Sequence, residues 1–189
     1  SAGRREGLWQ TQNALRQAYK RLGKNELAVL WGKEAINTLQ SLRARLSSLP
    51  GEMQTSFVAN KSDVYHQLAD LLISEGRIEE AQQVIQALKT FELFQSLDQR
   101  AGIPERFDTL PLTEFEQRAY QQFEVLRDDL MSLGTERRQL EASQRSGRLS
   151  SAETSRLMEI VNSRLPAAEK AMSNYLLLLE KKLVSHTES

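Results

Sequence analysis

Apolar residues recur at spacings of three and four along almost the whole chain, and no stretch alternates long enough to make a strand. Such spacing lines up apolar side chains on one stripe of a helix, so the chain reads as all-α. The pattern predicts a first helix over about Leu8–Leu22, with Leu8, Asn13 or Ala14, Leu15, Ala18, Tyr19 and Leu22 inward. Residues 1–7, opening on Ser1-Ala2-Gly3 without an initiator Met, read as an expression remnant or a disordered lead. A second helix runs from about Glu26 to Leu49, with Asn25 as N-cap and Leu27, Leu30, Trp31, Ala35, Leu39, Leu42 and Leu46 as its stripe. Pro50 and Gly51 stop it. A third covers about Met53–Glu75 and carries Phe57, Val58, Val64, Tyr65, Leu68, Leu71 and Leu72. Gly76 closes it as a left-handed cap. The fourth reaches from Ile78 to about Leu97, with Ala81, Val84, Ile85, Leu88, Phe91 and Phe94 inward.

Gly102, Pro104 and Pro111 then mark residues 98–113 as a linker. Thr113 and Glu116 have the spacing of a capping box for a long fifth helix ending near Arg145. Its stripe is Leu112, Phe115, Ala119, Phe123, Leu126, Leu130, Leu133 and Leu140, mostly in steps of three and four, as in a coiled-coil seam. Ser150 or Ser151 starts a sixth helix whose stripe is Met158, Val161, Leu165, Ala168, Met172, Tyr175 and Leu179. Pro166 falls inside it and predicts a kink, because proline removes a backbone donor and crowds the preceding turn. The short turn between the last two helices predicts a long antiparallel, coiled-coil-like hairpin over 114–186.

Bulk properties narrow the function. The 189 residues are 40% hydrophobic and only 6% aromatic, which suits a long, thin core. With 25 Lys+Arg against 25 Asp+Glu there is no basic excess, so nucleic acid is not expected as a partner. The chain has no cysteine, which removes disulfides, Cys-ligated zinc and thiol chemistry from it. No apolar run, Tyr175–Leu179 included, is long enough to span a membrane. Nothing resembles a phosphate-binding loop or a glycine-rich cradle.

The first half repeats itself. With Gly23 laid on Gly76, Ala28 falls on Ala81, Leu15 on Leu68, Tyr19 on Leu72 and Ala35 on Leu88. This resembles the tetratricopeptide repeat (TPR), in which small residues let paired helices approach and large ones fill the space between. Two departures stand out: the glycines are 53 residues apart, against the ~34 of that repeat, and Arg16 occupies a position that is normally small. An overlong repeat, then a second unit, a Pro-containing linker and a long hairpin resemble the TPR region of bacterial CHAT-domain proteins, in which a caspase-like domain is attached to TPRs. The likeness covers about Leu8–Leu183 and is densest over Phe57–Phe94, where "KSDVYHQLADLLISEGRIEEAQQVIQALK" runs from Lys61 to Lys89. "TFELF" stands where the family has a more acidic segment. The resemblance implies a caspase-like domain after the present C-terminus, and it carries no catalytic residue over to this chain.

By TPR geometry the first helix of each unit lines the concave wall. Asn13, Gln17, Lys20, Arg21, Asp63, His66 and Asp70 are therefore candidates for a partner-binding groove. Their alternatives are a solvated polar face or, for Asp63, His66 and Asp70, a metal site. Glu79-Glu80 and Asp128-Asp129 are neighbours on helices and diverge by about 100°, so they cannot share a proton. Arg137, Arg138, Arg145 and Arg148 make a basic hairpin tip, but no aromatic stands among them for stacking on bases. Leu176, Leu177, Leu178 and Leu179 encircle their helix, and one partner helix cannot cover them all. They form a candidate apolar docking surface for the first half, a partner or a following domain. These features predict a non-catalytic scaffold without cofactor or metal, upstream of a caspase-like domain, with a free-standing TPR adaptor as the alternative. The expected partner is a protein or peptide, the parent chain's own C-terminal domain, or both. The bacterial cytoplasm is the favoured location.

Overall fold

The structure is a computed structural model that describes residues 2–46, 61–96 and 109–186. Among these the chain is helical, with no strand. It divides into two compact units, Ser1–Leu112 and Thr113–Ser189.

In the first unit α1 (Ala2–Arg21) packs on α2 (Asn25–Leu46), α3 (Ser62–Ser74) on α4 (Ile78–Ser96), and α2 on α3. α1 begins at Ala2, six residues ahead of the expected helix start at Leu8. A helix once nucleated propagates readily, and Arg4, Arg5 and Glu6 are adequate helix formers. The expected start of the third helix at Met53, with Phe57 and Val58, lies outside the described residues, as does most of the linker.

Gly23 and Gly76 both take left-handed backbone, at φ 69° and 72°. Around each, the residue after the glycine donates to the carbonyl five positions back, Lys24 to Tyr19 and Arg77 to Leu72. The glycine itself donates three back, to Lys20 and Ile73. This is the Schellman closure, and both helix pairs use it in the same form. Asn25 is not an N-cap. It is the first helical residue of α2, and its side-chain amide donates to Glu75 at 2.7 Å.

α2 is the centre of this unit: every residue from Leu27 to Ile36 is buried. Helices reach it from more than one side. Gly32 makes that possible, because a β-carbon there would stand 2.7 Å from Leu68 Cδ1 and 2.9 Å from Arg16 Cδ. The missing side chain gives the space that Leu68 and the Arg16 stem fill. Lys33, 2% exposed, pairs with Glu80 of α4. Arg77 in turn donates to Glu80 at 2.6 Å and to Glu26 at 2.8 Å. With Asn25–Glu75, these bonds fasten the α1–α2 turn to the α3–α4 turn.

The second unit opens with α5 (Glu114–Arg145). Thr113 caps it by accepting from Glu116 N, and Glu116 accepts from Thr113 N, so the predicted capping box is present. The chain turns at left-handed Gly147, and Ser150 with Glu153 forms a second capping box. α6 (Ser151–Glu159), a π-turn (Ile160–Arg164) and α7 (Leu165–His186) then run back along α5. The direction follows from the cross-links: Arg156 to Glu136 at 2.7 and 2.9 Å, Ile160 beside Leu133, and Tyr175 Oη donating to Ala119 O at 2.6 Å.

The π-turn corrects the inward stripe. Met158 and Val161, expected inside, are exposed at 60% and 42%, while Leu157 and Ile160 are buried. The inward sequence is Leu157, Ile160, Leu165, Ala168 and Leu179. Its step from 160 to 165 is five residues, one more than an α-turn accommodates. A π-turn, bonded i to i+5, absorbs the surplus residue and keeps both stretches facing α5. Pro166, where a kink was expected, follows directly.

Candidate functional site

The residues proposed for a groove sit on α1 and α3. Asn13, Gln17 and Lys20 recur at four and three on α1, and Asp63, His66 and Asp70 at three and four on α3, so each set shares a face of its helix. Gln17, Lys20, Arg21, Asp63, His66 and Asp70 are all exposed, and Asn13 is half-buried. Lys20, Arg21, Asp63, His66 and Asp70 make no ion pair among the described residues.

Arg16 joins these two helices. It is 1% exposed, donates through Nε to Asn13 Oδ1 at 2.9 Å and through Nη2 to Gln67 Oε1. Both acceptors are neutral amides, and burial lowers the pKa of the guanidinium from its usual value. A long side chain stands where the repeat pattern wants a small one, and Gly32 opposite supplies the room. The sequence marked Arg16 only as a misfit. A glycine in the middle of α2 was the signal that its bulk was compensated.

Among the described residues no three of His, Asp and Glu gather where a metal ion could be held. Glu80 is occupied by Arg77 and Lys33. Its burial opposes ionisation, but those bonds and charges together hold its carboxyl below the usual range. Glu79 is exposed. Asp128 bonds Arg127, and Asp129 is exposed. In the basic tip Arg137 pairs with Glu141, Arg138 donates to Gly134 O, and Arg148 donates to Ser146. Arg145 is exposed.

The four leucines of α7 have three different surroundings. Leu179 is buried, Leu176 is half-buried, and Leu177 and Leu178 are 57% and 49% exposed. Leu178 and Leu179 line a groove of about 860 Å³ between α5 and α7, with Phe115, Leu126 and Tyr175 among its apolar walls. Arg118 and Lys182 also line it, and Arg118 is bonded to Glu114. Burial raises the pKa of the Tyr175 phenol, whose hydroxyl is already committed to Ala119 O. No helix among the described residues is long and apolar enough to cross a membrane.

No protein-family model, no curated protein and no solved structure matches the chain.

Proposed function

We propose that the chain is a non-catalytic protein–protein interaction scaffold: two TPR-like helix pairs followed by a long, coiled-coil-like hairpin, of the kind that precedes a caspase-like CHAT domain. The observation that carries this reading is the fastening of two equivalent turns. Gly23 and Gly76 close their helices with the same bonds, and the residues flanking them are linked by Arg77–Glu26 and Asn25–Glu75. Stacked repeats bring successive turns side by side in this way. Of the residues matched between the two pairs, Ala28 and Ala81, Tyr19 and Leu72, Ala35 and Leu88, and Leu68 are buried, while Leu15 is half-buried.

In this reading α1 and α3 present the polar strip to a protein or peptide partner, and Arg16 holds the two helices in register. The apolar leucines of α7 offer a second contact, for a partner or for a domain of the same parent chain. Reversing three charges on the strip, Lys20→Glu, Arg21→Glu and Asp70→Lys, tests it. Helical circular dichroism should be unchanged while capture of the partner by the full chain falls at least tenfold. Undiminished capture would remove the strip from the binding surface. The reading frame beyond Ser189 separates the two forms of the proposal. Separated His and Cys motifs there support a CHAT-associated scaffold, and a stop codon favours a free-standing adaptor.

A further inference from the structure

The segment just ahead of α5 is held on α2 in a manner that resembles a bound peptide. Leu110 N donates to Asn37 Oδ1 at 2.7 Å, and Asn37 Nδ2 donates to Leu110 O at 3.2 Å. One side-chain amide thus satisfies both main-chain groups of one residue, as a neighbouring strand would. The Leu110 side chain is 5% exposed, so it is an anchor as well as a passenger. Pro111 follows it, and the residue before a proline is confined to extended backbone. The segment is therefore shaped for the slot by its own sequence.

Asn37 stands in a row of polar positions. Glu34, Asn37 and Ser41 follow one another at three and four along α2, and Gln40 lies beside Asn37 on the same side. These are polar positions on the most buried helix of the unit. Buried polar groups ordinarily find a partner. Asn37 finds Leu110, and the Gln40 residue beside it is 5% exposed. A side-chain amide there, one helical step from Asn37, is placed to take a further main-chain group of a longer extended segment.

We propose that this side of α2 is a binding site for an extended peptide carrying Leu-Pro, gripped through its main chain by Asn37 and Gln40, and that residues 109–112 fill it in cis as a displaceable strap. Main-chain bonds give such a site its affinity, and burial of the leucine gives it specificity. The ligand class follows from the occupant: an extended segment whose leucine is buried and whose next residue is proline. This site is separate from the polar strip of α1 and α3, so either can fail without the other.

The test uses the full chain and a labelled hexapeptide, Asp-Thr-Leu-Pro-Leu-Thr, copied from residues 108–113. Leu110→Ser weakens the strap, and this variant should bind the peptide at least tenfold more tightly than the unaltered chain. Adding Asn37→Ala should remove at least tenfold of that affinity. Equal binding by the unaltered chain and the Leu110→Ser variant overturns the proposal, as does binding indifferent to Asn37→Ala. Should Leu110→Ser not fold, hydrogen exchange on the unaltered chain decides. A displaceable strap requires the Leu110 amide to exchange at least tenfold faster than those of Leu30 and Ile36. Exchange of all three at one rate would mean that the strap opens only when the unit unfolds, and would overturn it.

Discussion

Gly32 of α2 lies against Leu68 of α3 with no room for a β-carbon: one would stand 2.7 Å from Leu68 Cδ1. The Arg16 stem is almost as close on the same spot. Gly32→Ala gains helix propensity, about 1 kcal/mol at most. It must also push Leu68 and Arg16 aside, and overpacking of this kind costs about 1–3 kcal/mol. The net expectation is destabilisation of up to about 2 kcal/mol, read as a lower urea midpoint. A midpoint that rises would mean that α1 and α3 can retreat from α2 without loss.

The Glu80 carboxyl, gripped by Arg77 and Lys33, has a folded pKa below its unfolded value. Depression of this sign adds stability that is fully present above the unfolded value, near pH 4.5, and is lost as pH falls through the folded pKa. Glu80→Gln removes the charge at every pH. Thermal melts of the two proteins should therefore differ most at neutral pH and converge in acid. A gap that stays constant from neutral pH downward would show that the carboxylate is not what Lys33 and Arg77 hold.

The π-turn at Ile160–Arg164 exists to carry one surplus residue between two inward stripes. Removing exposed Ser163, together with Pro166→Ala, should let the segment close into continuous α-helix with Leu157, Ile160, Leu165 and Ala168 still facing α5. Helical circular dichroism should be retained and the melting temperature kept or raised. Removing exposed Asn174 instead rotates every later residue by about 100° and tears Leu179 from the core. If both deletions destabilise equally, the π-turn is not the store of the extra residue.

Much of the fold was legible in the sequence, and the exceptions have particular causes. The 3–4 spacing located α2, α4 and α5; Gly76 announced the end of α3, Thr113 with Glu116 the start of α5, and Ser150 or Ser151 that of α6. The inward face of α6 was misread by one residue. Met158 and Val161 continue the α7 stripe in perfect 3–4 steps, so an unbroken α-helix looked self-consistent. Leu157 and Ile160 offered a competing stripe of greater apolar bulk, and a π-turn let that stripe prevail. The ties that organise the first unit were not legible. Arg16–Gln67, Lys33–Glu80 and Asn37–Leu110 join residues many turns apart in sequence, and periodicity says nothing about which polar side chains meet. The polar positions at 33, 34, 37, 40 and 41 were a visible hint, because they interrupt a helix too apolar to need a wet face. For the candidate strip, the sequence located its residues along two helices, but not the buried arginine beneath them.

The unbroken burial of α2 from Leu27 to Ile36 contrasts with α5, where among 32 residues only Glu116, Ala119 and Leu133 are buried. A random substitution in the first meets a neighbour in every direction. In the second it mostly meets water. Mutational fragility is therefore concentrated in one short length of chain, while the rod is open to drift. Descendants of this sequence would be recognised by α2 long after their rods had ceased to look alike.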